Sequence, residues 1–591
     1  MSPETEQIIQ SEGPVDQNSN EKPAKKSGPV KEFIRKHAPF LLSSQSLFYF
    51  VVFLFVLSIG WAAYSLFTNY FTQLYGWDYE LQFVPFYYDY WDTWHDFFAT
   101  GHFRLYDHQT FLGTDHIGSN SYYGLFDPFV VAMILFPRSW IPQMTAIMTF
   151  AKLVVCALLA RGYLKYMGIQ EWTARLGAVA VAFSGFMNFM VGFPNFVSAV
   201  TYMPLVLWGI EKVIRERKIS HLVWGLFFEG ITCFFMLVPM CVFGVMYAVF
   251  RYFQSIKDRN WKTNIGVILL GVFAFAIGIM MSAWVLLPSV RESSLSGRTV
   301  SIGRFYLDAV LDALKNADFK QFFHLVFEPV GDNPGRELMA LVSFFYPTCN
   351  YLYLPLTYPG SVGGSDYHYD AWTASIFCYT LFAILLFLAI MNSVRRKKWS
   401  HLIAVVLIAF LLFTTSAYYF FFLFSGNGYG RWFFVLVPVI IYYGCWAYDD
   451  REEQPKWFML AASVLTLLAT IFTYLLTIWL LDGKVFINEN GLTYWPNFYL
   501  TAGQTVADGS LVNGTWTRFV DTRIWYIYYQ IGMVAVQGII LILWNKKKWV
   551  KYPLLALMSA EAIVMGNASF AYGSSFSLNY FLGGQTVVST A

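Results

Sequence analysis

Apolar runs of membrane-spanning length recur from residue 46 to residue 570, separated alternately by short basic breaks and by longer aromatic loops. A run of about 18 or more predominantly apolar residues marks a candidate spanning helix. The pattern predicts such helices near 46–68, 143–165, 174–192, 196–212, 222–236, 239–252, 264–288, 372–393, 401–423, 432–448, 457–481, 524–544 and 553–570. The stretch 222–252 is too long for one ordinary span and too short for two comfortable ones. Basic residues flank both of its ends, so the chain must return to the side it left. A tight pair of short helices turning near Pro239, or a re-entrant hairpin, satisfies that. The first 45 residues have no apolar period and predict a disordered tail. The first span is too long for a signal-peptide core and lacks an obvious small-residue cleavage site.

Lysine and arginine cluster in 22–36, 161–175, 212–218, 257–262, 395–398, 451–456 and 546–551, between alternate spans. The positive-inside rule assigns all seven clusters to the cytoplasm, with the N-terminus inside. The expected organisation is therefore a cytoplasmic tail 1–45, a transmembrane domain 46–570 with outer loops 69–142, 291–371 and 482–523, and an outer tail 571–591. Composition agrees: 57% of residues are hydrophobic, 20% aromatic and only 13% charged, against about 25% charged in soluble domains. This predicts an all-α polytopic membrane protein of the cell membrane, in contact with membrane lipids. The net charge of +3 is segregated by side, and no nucleic-acid partner is expected. Six cysteines sit mostly inside apolar runs at no metal-like or redox spacing, and are read as small packing residues.

Two carboxylates stand out inside predicted spans. An intramembrane carboxylate costs about 2.5–3.5 kcal/mol on insertion scales and should face protein or water. Glu229 is open to a functional role or to a hydrogen bond that stabilises the 222–252 hairpin; Glu561 is read as structural.

The first outer loop carries the densest chemistry. The stretch 75–137 holds eight carboxylates and four of the nine histidines, against Arg104 and, just beyond it, Arg138. Asp78 and Gln82 are four apart and would share one face of a helix. Phe83, Phe86, Tyr87, Tyr90, Trp91 and Trp94 would anchor such a helix along the membrane interface. A carboxylate at headgroup depth, in a partly dry aromatic setting, suits a general base for an acceptor hydroxyl, as transfer from a lipid-linked phosphate sugar requires. The alternative for Asp78 is a helix cap or a solvated face.

The segments GWDYELQFVPFYYDYWDTW, FLGTDHIGSNSYY and DPF, with the turn at Gly101 between them, resemble the opening of the bacterial YfhO-like membrane glycosyltransferases, a family of the GT-C superfamily. The matching positions are Asp78, Gln82, Phe83, Pro85, Phe86, Gly113, Asp115, Tyr122, Tyr123 and Pro128. Later stretches are similar as well, around Ser184, Gly185, Pro204 and Leu205, and in SAWVLLPSVRESSLSGR and GNGYGRWFF. The resemblance implies a GT-C-like fold of about thirteen transmembrane helices, with interfacial helices in the first outer loop. It also implies transfer of a sugar from an undecaprenyl-phosphate-linked donor to an extracellular glycopolymer, lipoteichoic or wall teichoic acid in a Gram-positive cell envelope, with Asp78 as general base. Asp127 departs from the family, which more often has Ser before the Pro. The chain also ends soon after the span carrying Glu561, whereas many members continue into an outer soluble domain and a final span.

A polyprenyl phosphate-sugar presents its phosphate at the outer headgroup plane, where arginine is the natural partner. Arg298 and Arg431 are the candidates; Arg291 is read as an interfacial arginine. Asp115, His116, Tyr122 and Tyr123 join Gln82 as candidate sugar contacts. The spacings of His95, His102, His108 and His116 fit no tight ligand motif, and the loop lacks Asp-x-Asp, so no cofactor is required, although a divalent metal is possible. Two other functions compete: a transporter or flippase of a lipid-linked saccharide, which would need paired intramembrane charges along a path, and a non-catalytic surface receptor.

Overall fold

The computed structural model describes residues 45–68, 79–108, 113–255, 261–295, 302–327, 340–341, 343–346, 375–424, 430–482, 513–544 and 547–583. The expected N-terminal tail, Asp78, Arg298 and most of the second and third outer loops lie outside these residues. The chain divides into two units, 1–53 and 54–591. The described part of the first is the leading stretch of an apolar helix, α1 (Gln45–Trp61). All that follows concerns the second.

Each of the predicted spans carries helix, as befits a backbone that must satisfy its own hydrogen bonds in lipid. After α2 (Ala63–Thr68), the first loop contributes a π-helical turn Tyr79–Phe83, then α3 (Val84–Thr100), a two-residue antiparallel pair β1 (Tyr106–Asp107) and β2 (Thr114–Asp115), and the short helices α4 (His116–Asn120) and α5 (Pro128–Val131). The bundle proper continues as α6 (Ile141–Tyr166), α7 (Glu171–Ala182), α8 (Gly185–Met190), α9 (Pro194–Glu216), α10 (Ser220–Thr232), α11 (Phe234–Ser255), α12 (Trp261–Met281) and α13 (Ala283–Leu295). Two amphipathic helices follow, α14 (Ile302–Lys315) and α15 (Phe319–Phe327). Beyond them come α16 (Thr380–Arg395), α17 (Trp399–Leu412), α18 (Thr415–Phe420), α19 (Val437–Asp449), α20 (Lys456–Asp482), α21 (Asn513–Trp544) and α22 (Lys551–Gly583). Six helical segments among the described residues are long and apolar enough to cross a membrane. The protein is a helical, multi-pass membrane protein.

The ambiguous stretch 222–252 resolves into two helices, but the turn is not near Pro239. The chain breaks at Cys233, which is extended (φ −152°, ψ 91°), while Pro239 lies inside α11. Local bonding explains the position: the Cys233 amide closes α10 on the Glu229 carbonyl, and the Cys233 carbonyl accepts from Met236 and Leu237 to start α11. One residue outside helix is enough to reverse the chain. Proline at the sixth position of a helix costs only part of the early ladder, so it bends rather than ends α11.

The buried carboxylates meet different fates. Glu561 is bonded on both oxygens: the Thr380 hydroxyl donates to Oε1, and Gln537 Nε2 donates to Oε2 at 3.2 Å. Glu229 is fully buried, yet neither of its oxygens has a hydrogen-bond partner among the described residues. The hairpin-stabilising bond proposed for it is not formed. An unpaired buried polar group costs about 1–3 kcal/mol. Glu229→Met is therefore expected to hold or raise the thermal unfolding temperature in detergent; a clear fall would mean that the carboxyl is bonded after all.

Among the described residues, two buried ion pairs involve charges that lie within predicted spans. Arg251 of α11 pairs with Glu211 of α9, which also accepts from Tyr247 at 2.8 Å and meets Arg215 at 2.8 Å. The other pair, Asp127 with Lys152, lies beneath the first loop.

Candidate functional site

The first loop is held against the bundle by its own aromatic residues. Tyr79, Phe83, Tyr87 and Tyr90 are buried in one cluster with Leu125 and Val130 of the loop, Ile141, Met144 and Met148 of α6, Ile231 of α10 and Val285 of α13. These rings were expected to anchor an interfacial helix in the membrane; at Phe83, Tyr87 and Tyr90 they anchor it in protein instead. The period of α3 explains this, because positions 83, 87 and 90 recur on one helical face. Pro85 starts the helix, and Gly101, at φ 77°, ends it with its amide on the Phe97 carbonyl.

The polar residues of α3 tie down the segments that follow. Asp89 pairs with Arg104 at 2.6 Å, and Asp92 takes Arg138 bidentately at 2.8 and 2.9 Å. The Tyr90 hydroxyl donates to the Asn120 carbonyl at 2.8 Å, and Trp94 Nε1 to the Leu125 carbonyl at 2.8 Å. Asp115 caps α4 through the Ile117 amide at 3.1 Å. A side chain at Gly118 would collide with Glu292 and with the Pro288 carbonyl, so α4 lies close on α13 only because that residue is glycine.

His116 is fully buried in this strut. Asn120 Nδ2 lies 2.8 Å from Nδ1, and Thr93 Oγ1 lies 3.1 Å from Nε2. The amide nitrogen only donates, so Nδ1 accepts and the proton sits on Nε2, directed at Thr93. Burial lowers the His116 pKa below 6.5; Asp89, Asp107 and Asp115 oppose the shift, and Arg104 assists it. A histidine whose folded pKa is depressed contributes stability that is complete above its unfolded value and is lost as the pH falls. Hydrogen-exchange protection of segment 114–124 is thus expected to weaken as the pH drops from about 7 through 6.5 and below. Constant protection across that window would mean that this imidazole is not held neutral.

Four of the sequence-predicted residues meet around one aromatic cluster. The Tyr123 hydroxyl donates to Gln82 Oε1 at 2.8 Å, and the Tyr123 ring stacks on Phe86 at 4.3 Å. Phe83 touches both Tyr123 (5.2 Å) and Phe193 (6.4 Å), while Tyr122 meets Phe196 edge-on at 6.1 Å. Arg431 caps the same surface, its guanidinium 5.3 Å from the Phe196 ring and 5.8 Å from Phe193. Gln82, Tyr122, Tyr123 and Arg431 are thereby gathered from the first loop and the start of the 430–449 segment. Asp115 and His116 are not part of this group, being engaged in the strut. Among the described residues, no three His, Cys, Asp or Glu side chains are grouped to hold a metal ion.

Beneath the tyrosine pair lies a polar cluster that the sequence reading passed over. Lys152 Nζ sits 2.5 Å from Asp127 Oδ2 and donates to the Pro194 carbonyl at 2.9 Å. Ser198 Oγ donates to Asp127 Oδ2 at 3.1 Å, and Asp127 Oδ1 caps α5 through the Phe129 amide at 2.9 Å. Asn195 Nδ2 holds the Tyr122 carbonyl at 2.7 Å. The signal was present: Lys152 is a lone cation well inside an apolar run, the kind of residue that should be expected to have a partner.

A family model for the bacterial membrane protein YfhO matches residues 48–346. No curated protein matches the chain significantly. Among solved structures, ArnT from Cupriavidus metallidurans, bound to undecaprenyl phosphate, aligns with 92% of this chain and 80% of its own at 12% identity and a TM-score of 0.42, too distant to carry an argument. The family match spans half of the chain and takes in the whole first loop, the helices it packs on and the buried cluster beneath it: the chain belongs to the YfhO family of bacterial membrane proteins.

Proposed function

We propose that this protein is a membrane glycosyltransferase that moves one sugar from an undecaprenyl-phosphate-linked donor to an extracellular glycopolymer, lipoteichoic or wall teichoic acid. Membership of the YfhO family supports the reading, since resemblance to its glycosyltransferases suggested it. The observation that carries it is the gathering of Gln82, Tyr122, Tyr123 and Arg431 around one aromatic surface. Aromatic faces and amide or phenol groups suit a sugar, and a guanidinium suits a phosphate.

In this mechanism the N-terminus is cytoplasmic and the site faces outward. Asp78 takes the proton from the acceptor hydroxyl as that oxygen attacks the anomeric carbon in line. The bond to the donor phosphate breaks with inversion, and the polyprenyl phosphate leaves with the electron pair. Arg431 and Arg298 stabilise the charge developing on that phosphate. Gln82, Tyr122 and Tyr123 orient the sugar, while Asp115 and His116 serve it by holding the loop.

Sugar analysis of purified lipoteichoic and wall teichoic acid tests the reading, comparing cells with and without the protein. Loss of one sugar, with accumulation of its undecaprenyl-phosphate form, is the expected result. Identical sugars in both polymers would rule out teichoic acid as the acceptor.

A further inference from the structure

We infer that Lys152 is a positioning residue for the outer-loop site, an ammonium that fixes the tyrosine pair relative to the ring bed under Arg431. The inference deepens the functional reading above and rests on it for what the site does. Three chain segments meet at this one group: Lys152 itself from α6, Asp127 from the turn that follows the tyrosines, and Pro194 from the first turn of α9. Tyr122 and Tyr123 precede Asp127 by five and four residues, and Phe193 and Phe196 flank Pro194. The ammonium thus sets the spacing between the two halves of the candidate site. The Asn195–Tyr122 bond is a second tie along the same seam.

Stability alone is a poor reason for such a pair. Lys152 and Asp127 are each 1% exposed, and a buried ion pair is often no more stabilising than apolar residues of similar volume. Lys152 is bonded both to Asp127 and to the Pro194 carbonyl. Geometry, rather than charge balance, is what this arrangement secures.

The test compares the full-length wild type with the double variant Asp127→Asn/Lys152→Met in lipid nanodiscs. Asparagine keeps the cap on the Phe129 amide, and removing both charges avoids an orphaned ion. The expected double variant unfolds near the wild-type temperature, yet its kcat/KM for sugar transfer falls about 10²-fold, as a misplacement near 1 Å would produce. Hydrogen exchange of segment 120–128 should quicken in parallel. Wild-type stability with wild-type transfer would overturn the inference. So would a double variant that does not fold, because the pair would then be holding the bundle itself. If the wild type transfers no sugar, the functional reading fails and the clamp is judged on exchange alone: faster exchange at unchanged global stability supports it, and unchanged exchange sinks it.

Discussion

Asp78→Asn is expected to lower sugar transfer by about 10²–10⁴-fold, the range over which a positioned general base contributes, with the protein at its normal level in the membrane. The substitution keeps the size and most of the hydrogen bonding of the side chain and removes only its ability to take a proton. Asp78 directly precedes Tyr79, which is buried in the aromatic core, and stands four residues before Gln82, which accepts from Tyr123. An acceptor hydroxyl ionises far above neutral pH, so without a base the oxygen must attack while still protonated. Complementing a null strain with wild type or with the variant, at matched membrane abundance, separates the readings. Failure of the variant to restore the missing sugar supports the base. Full restoration removes Asp78 from that role and favours transport of a lipid-linked saccharide.

The second large effect is on folding. Asp127→Ala should destabilise the protein by about 3–5 kcal/mol, because it removes the carboxylate partner of the buried Lys152 ammonium. It also removes the cap of α5, which typically adds about 1 kcal/mol. Lys152 retains the Pro194 carbonyl, but a neutral oxygen does not compensate a buried cation. Thermal unfolding in detergent, read by tryptophan fluorescence, measures the loss. The charge-free double variant should recover most of it. If the single variant unfolds as the wild type does, the ion pair is not buried in the way the structure has it.

These charges also bear on the transport alternative, which calls for intramembrane charges along a path. Lys152, Glu211 and Arg251 lie within predicted spans and add to Glu229 and Glu561, while Asp127, the partner of Lys152, comes from the first loop. The members of each pair, however, are almost fully buried, and Glu561 is bonded on both oxygens. No exposed string of charges is formed by these six groups.

Much of the fold was legible because hydrophobic runs in lipid have one solution. A backbone without water must bond to itself, so each run of sufficient length became helix, and the basic breaks between alternate runs carried an expected orientation. The ring-rich first loop was also legible as the place where chemistry is concentrated, since eight carboxylates and four histidines stand out against so apolar a chain.

Other features required three dimensions. Whether 222–252 turns at Pro239 or at Cys233 depended on which single residue left the helical region, and composition does not weigh that. Whether the rings of α3 face lipid or protein depended on the presence of α6, α10 and α13 beside them. His116 and Tyr123 are both candidate sugar contacts in one short stretch, yet one is enclosed by Thr93 and Asn120 and the other meets Gln82. Lys152 is 25 residues from Asp127 and 42 from Pro194, and a charge that far from its partners reads in sequence as one isolated residue. The sequence by itself determined the solvent: its length and apolar spacing admit only a helical protein built into a membrane. The tertiary structure alone decided which polar groups meet inside it, because in a low-dielectric interior a charge is stabilised by whatever stands within a few ångströms, and chain proximity does not specify that.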